Sequence, residues 1–220
     1  MLFRRKSKVP GFNPPQSYQL VRKKKLIRLH RPFELGDLES WDEPVTIVEA
    51  TVAGIDPNDT VYGQPGSELI AELKEQVKAD ARLIAFATRG TGDNYCWDPD
   101  ADTGNGEFAI RYYGQGNDYL LAPTFPLFLF RLLLEELNVP LDAYTEEGWE
   151  NYDGKDWDTV CKRVTDTFKI IGSAEMVAIV EGLLSREIEE DKSVFAEGER
   201  AEIRQRFFSA DYLSDWEPDR

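Results

Sequence analysis

Aspartates at alternate positions form the most distinctive polar cluster in this sequence. Asp98, Asp100 and Asp102 lie in the segment D-P-D-A-D-T-G-N-G-E. Carboxylates spaced in this way on a tight loop can bind a hard cation, and the first half of the segment follows a calcium-loop pattern. The second half departs from it, because Thr103 stands where that loop needs glycine and Ala109 where it needs a bidentate glutamate. The segment therefore predicts an acidic hairpin tip, and a metal-dependent hydrolase centred on it is an alternative hypothesis.

Other catalytic arrangements find little support in the sequence. Residues 90–93, G-T-G-D, lack both the lysine of a P-loop and the glycine spacing of a dinucleotide site. The only histidine, His30, lies in a basic segment, distant in sequence from Cys96 and Cys161. This distance disfavours a nucleophilic triad, and a single imidazole disfavours catalytic zinc. We therefore predict a protein that is not an enzyme, with no cofactor and no metal site.

Residue patterns predict the elements that position these side chains. Runs rich in β-branched, aromatic or apolar residues predict strands at residues 45–53, 83–87, 94–97, 108–113 and 119–121. Apolar residues at helical spacing predict helices at residues 67–79, 125–137, 156–171, 173–191 and 199–208. Ser67 and Thr124 are the predicted N-caps of the first two helices, and Pro126 is tolerated in a first turn. The outline is a mixed strand and helix region followed by a mostly helical one.

Charge divides the chain into three segments. The 220 residues have a net charge of −15, made up of +10 in residues 1–33, −14 in residues 34–141 and −11 in residues 142–220. We therefore predict a basic N-terminal arm (1–33), an α+β core (34–141) and an acidic helical extension (142–220). The acidic core argues against broad nucleic-acid binding. The arm is typical of a solvated tail or an exposed helix face, and it could also contact an anionic membrane, a nucleic acid or the acidic core.

Cysteine content and hydropathy indicate the compartment. Two cysteines are too few for a disulfide framework, which favours a reducing setting. The longest apolar stretch, residues 119–134, contains two prolines and Arg131, so no transmembrane segment is predicted. The basic N-terminus is not followed by the apolar stretch of a secretory signal. The sequence thus predicts a soluble, cytoplasmic protein.

Aromatic residues are concentrated on the strands beside the aspartates. Trp97, Tyr112, Tyr113 and Tyr119 belong to this set. Most such residues pack in a core, but alternation sends neighbours such as Tyr112 and Tyr113 to opposite faces of a sheet. Tyrosine and tryptophan beside acidic residues favour a protein-binding surface for a basic partner.

The middle of the chain resembles the SUKH superfamily, whose members are related to a yeast cell-wall-synthesis regulator and include bacterial immunity proteins of polymorphic toxin systems. The resemblance rests on L-I-A-F-A-T-R-G-T-G-D-N-Y-C-W-D at residues 83–98 and Y-L-L-A-P-T-F-P-L-F-L-F-R-L-L-L at residues 119–134. The segment P-P-Q-S-Y at residues 14–18 is similar to the entry of the family's first helix. The helical region after residue 141 has no counterpart in the family pattern.

This resemblance implies an α+β fold with a curved, mainly antiparallel sheet packed with helices. It also implies function by binding, since immunity proteins of this kind cover a cognate toxin, often a nuclease. An acidic surface independently suits such a basic target.

Two functional hypotheses follow. The first is a non-enzymatic immunity protein that neutralises a cognate protein toxin, with no small-molecule substrate. Its predicted contact residues are Asp93, Trp97, Asp98, Asp100, Asp102, Tyr112 and Asp118. The second is a regulatory scaffold that uses the basic arm to bind a membrane or a nucleic acid.

Overall fold

The architecture consists of an antiparallel sheet with helices packed against it. The structure, a computed structural model, describes residues 9–24, 39–88, 93–114, 117–138, 157–186 and 193–213. The strands are β1 (Glu39–Thr46), β2 (Thr60–Val61), β3 (Gln64–Pro65), β4 (Ile84–Thr88), β5 (Asn94–Gly104), β6 (Glu107–Gly114) and β7 (Asn117–Ala122). The helices are α1 (Gln16–Lys24), α2 (Ile47–Thr51), α3 (Gly66–Gln76), α4 (Phe125–Glu136), α5 (Trp157–Ile171), α6 (Ala174–Leu184) and α7 (Glu199–Phe207).

Five strands form the main sheet, in the spatial order β1-β4-β5-β6-β7. Every neighbouring pair is antiparallel, and β2 and β3 form a separate two-stranded ribbon. Within the described part of the chain after residue 141, the regular structure is helical. The predicted α+β class and the helical C-terminal region are therefore confirmed.

The strand predicted at residues 45–53 has the wrong bounds. β1 ends at Thr46, and α2 begins at the next residue. Thr46 Oγ1 accepts a hydrogen bond from the Glu49 N–H at 3.2 Å, and Glu49 Oε2 accepts one from the Thr46 N–H at 3.1 Å. This reciprocal capping box starts a helix in a β-branched run that would otherwise favour a strand.

The starts of two helices can be compared with their predicted N-cap residues. The predicted cap at Thr124 is confirmed, because Thr124 Oγ1 accepts from the Leu127 N–H at the start of α4. The predicted cap at Ser67 is wrong, since α3 already begins at Gly66, after Pro65, without a side-chain cap. Gly66 lies against the backbone there, where a Cβ would meet the Asp56 carbonyl oxygen.

The β5–β6 hairpin corrects the prediction of an acidic tip. The turn consists of Asn105 and Gly106, both with positive φ, of 56° and 71°. An Asn-Gly pair with this geometry is the preferred two-residue hairpin turn. The aspartates lie instead on β5, where the pairing register shifts between Asp98 and Asp102. They therefore belong to an irregular strand and not to the tip of the hairpin.

Part of the predicted basic arm belongs to the core. Tyr18 and Val21 of α1 are each 2% exposed. The Tyr18 ring packs edge-on against Trp97 and Phe125, with centroid distances of 4.8 and 5.2 Å. Glu107 of the hairpin also joins α1 to α4. Its carboxylate accepts from Ser17 Oγ at 2.5 Å and from the Phe125 N–H at 3.0 Å, so it satisfies donors at both helix N-termini.

The C-terminal helices pack into the same hydrophobic core as the sheet. The Phe130 ring of α4 lies 5.9 Å from Phe168 of α5 and 5.0 Å from Phe207 of α7. The buried Arg131 donates from Nη1 to the carbonyl oxygens of Leu121 in β7 and Tyr212. No helix among the described residues is both long and apolar enough to cross a membrane.

Candidate protein-binding site

Strand alternation gives the sheet two chemically different faces. On β5, the rings of Tyr95 and Trp97 enter the core formed with α1 and α4. Cys96, between them, belongs to a small cluster with Ile47 and Ala85 on the opposite side. We call the first side the helix-covered face. The second side, beyond the small cluster, carries Asp80, Arg82, Asp98, Asp100, Arg111, Tyr113 and Asp118, and we call this set the charged face.

Asp98 lies at the centre of the charged face. Its side chain is 5% exposed and is shared by two arginines from neighbouring strands and turns. Arg82 contacts both carboxylate oxygens at 3.3 Å, and Arg111 Nη1 lies 3.6 Å from Oδ2. Asp98 Oδ1 also accepts from the Asp100 N–H at 3.2 Å. A carboxylate held in this way acts as the anchor of an ion-pair network.

The outer carboxylates complete this network. Asp118 accepts two hydrogen bonds from Arg111, at 2.7 and 2.8 Å, in the bidentate geometry that guanidinium favours. Asp100 lies 3.1 Å from Arg82 Nε, and its side chain is 77% exposed. The hydrogen bond to Asp118 raises the pKa of Arg111. Four aspartates share two arginines on this face, so two negative charges are left over.

A tyrosine joins the edge of the network to the turn before β4. Tyr113 OH donates to Asp80 Oδ2 at 3.1 Å, and Asp80 also lies 3.5 Å from Arg82 Nη1. Burial, followed by the hydrogen bond to Asp80, raises the pKa of Tyr113 to about 12. Burial also raises the pKa of Cys96, whose thiol lies beneath this surface. Neither group is an activated nucleophile or base at neutral pH.

The predicted contact residues are divided between different environments. Asp98, Asp100 and Asp118 meet on the charged face. The Trp97 ring lies instead in the core of the helix-covered face, 0% exposed, and is not part of the surface. The Asp102 side chain lies outside the described residues, although its backbone pairs with Phe108 in the hairpin.

Asp93 and Tyr112 form a separate pair. Asp93 is 6% exposed and lies against Gly114, where a Cβ would be only 2.3 Å from Asp93 Oδ1. Burial and a hydrogen bond to Asp93 raise the pKa of Tyr112. The Tyr112 ring stacks on Tyr119 with centroids 4.8 Å apart. Because of this packing, Asp93 and Tyr112 stabilise the end of the sheet and are not part of the charged face.

Sequence reasoning missed both arginines of the charged face, together with Asp80 and Tyr113. None of these four was among the predicted site residues, although Arg111 and Tyr113 share a strand face by alternation. The register pairs Arg111 with Cys96 and Tyr113 with Asn94, which places both on the Asp98 side. A prediction of this hairpin register would have found them. Residues 90–92 of the G-T-G-D segment lie outside the described residues, as does His30.

Among the described side chains, no three histidine, cysteine, aspartate or glutamate residues come together to hold a metal ion. The Asp98 carboxylate instead contacts two guanidinium groups.

Comparison with known proteins found no match to any family model, and no similar protein among curated sequences or solved structures. The SUKH resemblance therefore stays a prediction.

Proposed function

We propose that this chain is a non-enzymatic binding protein of the immunity type, which neutralises a cognate toxin by direct contact. The observation that carries the proposal is the surplus negative charge of the charged face, where four aspartates share two arginines. Complementary charge steers association and suppresses wrong partners. The expected partner is a basic protein such as a nuclease toxin.

The charged face has the rigidity that such a role requires. Arg111 is held by Asp118 and Asp98, and Arg82 by Asp98 and Asp100, so the outer carboxylates have defined positions before binding. A surface ordered in advance loses less side-chain entropy on association. Asp100 and Asp118 are accessible to a partner, whereas Asp98 supports them from below.

The first experiment identifies the partner. The tagged full-length protein is purified from its native host, and co-eluting proteins are identified by mass spectrometry. The proposal predicts one stoichiometric partner that carries a basic toxin domain. Recovery of no toxin from cells that express one with a basic catalytic domain would contradict the immunity function.

The second experiment locates the interface on that partner complex. Asp100→Asn removes one exposed charge from the charged face. The control, Glu75→Gln, removes an exposed charge from α3, and Glu75 is likewise paired with a cation, Lys78. We expect Asp100→Asn to weaken binding about threefold, mainly through slower association, and to reduce its salt dependence. Glu75→Gln is expected to change neither quantity. Unchanged affinity and salt dependence in Asp100→Asn would exclude the charged face as the interface.

The scaffold hypothesis rests on the ten basic and no acidic residues in residues 1–33. A truncation at Phe33 would test it poorly, because it removes Tyr18 and Val21 from the core. Substituting glutamine for Arg4, Arg5 and Lys6 leaves α1 intact. Loss of liposome or DNA binding in this variant, with toxin binding absent from the wild type, would favour the scaffold over the immunity protein.

A further inference from the structure

One large hydrophobic side chain stands exposed among the described residues: Tyr62, at the tip of the ribbon formed by β2 and β3. Its exposed fraction is 101%, so folding buries none of its ring. Val61 pairs with Gln64, which leaves Tyr62 and Gly63 as a two-residue turn. The ring does not stabilise the fold, and its whole area is available to a partner.

The backbone of this turn is unfavourable for tyrosine. The φ angle is 52° at Tyr62 and 83° at Gly63. A two-residue turn with positive φ at both positions prefers asparagine, aspartate or glycine at the first, because a bulky side chain is strained there. The β5–β6 hairpin has this geometry with the preferred residues, Asn105 and Gly106. Tyr62 therefore strains a turn that an asparagine would fit, and such strain is typical of functional sites.

The base of the ribbon is fixed to the start of α3. The Gly66 N–H donates to the Asp59 carbonyl oxygen at 2.7 Å, next to the ribbon. Gln64 Nε2 of β3 donates to Glu72 Oε2 of α3 at 3.3 Å. A side chain presented on a fixed base loses less entropy when it binds, so Tyr62 is well placed to contact a partner.

Helix α3 connects the ribbon to the charged face. It packs against α2, which covers the small apolar cluster on that side of the sheet. The 3-10 helix Lys78–Asp80 follows α3 and carries Asp80 of the charged face. The eleven residues of α3 span about 16 Å, and a standard interface of about 800 Å² per partner is wide enough to reach both ends. The exposed Asp56 and Asp59 add negative charge beside the ribbon, which suits the same basic partner.

We infer that Tyr62 is an aromatic anchor for the partner of the charged face, and that its ring enters an apolar pocket on that basic protein. Tyrosine is enriched among the residues that dominate the binding energy of protein interfaces. The two contacts have different roles, since the exposed aspartates steer association and the ring slows dissociation. The inference rests on the proposed function, because it names a second contact of the same partner.

The test measures the binding kinetics of full-length variants with the partner recovered by affinity purification. Tyr62→Asn fits the turn but removes the ring, and we expect at least about tenfold weaker binding, through faster dissociation and with unchanged salt dependence. Tyr62→Phe keeps the ring and should bind within about twofold of the wild type.

The outcomes separate this inference from the proposed function. Wild-type affinity in Tyr62→Asn, beside weakened binding in Asp100→Asn, would overturn the role of Tyr62 and leave the proposed function standing. Equal losses in Tyr62→Asn and Tyr62→Phe would exclude an apolar pocket. Failure to recover any partner would overturn the proposed function and this inference together.

Thermal unfolding distinguishes a binding role from a structural one. We expect Tyr62→Asn to raise the melting temperature by about 2 °C, because it relieves the strained turn. Asn105→Tyr places tyrosine in the matching turn of the other hairpin and should lower the melting temperature by about the same amount. A lower melting temperature in Tyr62→Asn would show that the ring stabilises the ribbon, and this would overturn the inference.

Discussion

The two faces of the sheet use the same strands for opposite purposes. On the helix-covered face, the Phe86 and Trp97 rings stack with centroids 4.4 Å apart. On the charged face, Asp98, the next residue after Trp97, pairs with Arg82 and Arg111. The parity of a position in β5 and β6 therefore decides whether its side chain stabilises the fold or forms the surface.

The charged face also has a small apolar support of its own. Ile47 and Ala50 of α2 pack with Leu83, Ala85 and Cys96, beside β4 and β5. The charged residues of β6 and β7 continue from this cluster across the sheet. The buried cluster beneath α2 stabilises one end of the charged face, and ion pairs stabilise the rest of it.

The largest expected effect comes from the helix-covered face. Trp97→Ala removes a fully buried ring that contacts Phe12, Tyr18 and Phe86, and we expect it to lower the free energy of unfolding by about 3–5 kcal/mol. Denaturant unfolding followed by circular dichroism measures the loss. Trp97→Phe keeps part of the packing and should cost less. A loss below about 1 kcal/mol in Trp97→Ala would mean that the aromatic cluster does not stabilise the sheet.

A second comparison distinguishes the buried Asp98 from the exposed Asp100 within the charged face. Asp98→Asn leaves Arg82 and Arg111 without their shared carboxylate, and we expect a loss of about 1–2 kcal/mol because both arginines are only partly buried. Asp100→Asn alters an exposed side chain and should change stability by less than about 0.5 kcal/mol. Thermal unfolding of the two variants beside the wild type measures both. Similar losses would contradict the assignment of Asp98 as the anchor.

Elements bounded by local signals could be predicted from the sequence. The apolar run before Thr88 predicts β4, and Thr124 predicts the start of α4, because each signal lies within a few residues of the element. The end of β1 was missed, since the Thr46–Glu49 capping box competes with β-branched residues that favour a strand. Local competition of this kind depends on tertiary packing as much as on propensity.

The charged face could be predicted only in part. Its aspartates stand out in the sequence, but Arg82 lies 16 positions before Asp98, and Asp80 lies 33 positions before Tyr113. The pairing of β4, β5 and β6 brings the members of each pair together, and no local sequence pattern indicates this pairing. Alternation likewise separates Trp97 from Asp98 without showing which face is covered. Helices α1 and α4, distant in the chain, decide that Trp97 is buried.

The effect confined to the narrowest range of conditions is a change in alkaline stability on the charged face. Burial and the hydrogen bond to Asp80 raise the pKa of Tyr113 to about 12 from an ordinary value of 10.0. The folded protein therefore keeps this proton at a pH where the unfolded chain has lost it. The resulting stabilisation is fully present below pH 10 and is lost as the pH rises through about 12.

Tyr113→Phe removes this linkage, so we expect the variant to lose less stability than the wild type between pH 10 and pH 12. Urea unfolding at stepped pH measures the difference, and Tyr62→Phe, on a fully exposed ring, is the control. The proton sits on the donor of the Tyr113–Asp80 hydrogen bond, so its loss would place two negative charges beside each other. If both variants follow the wild-type pH profile, Tyr113 ionises as freely in the folded protein as in the unfolded chain, and the charged face ends at Arg82 and Arg111.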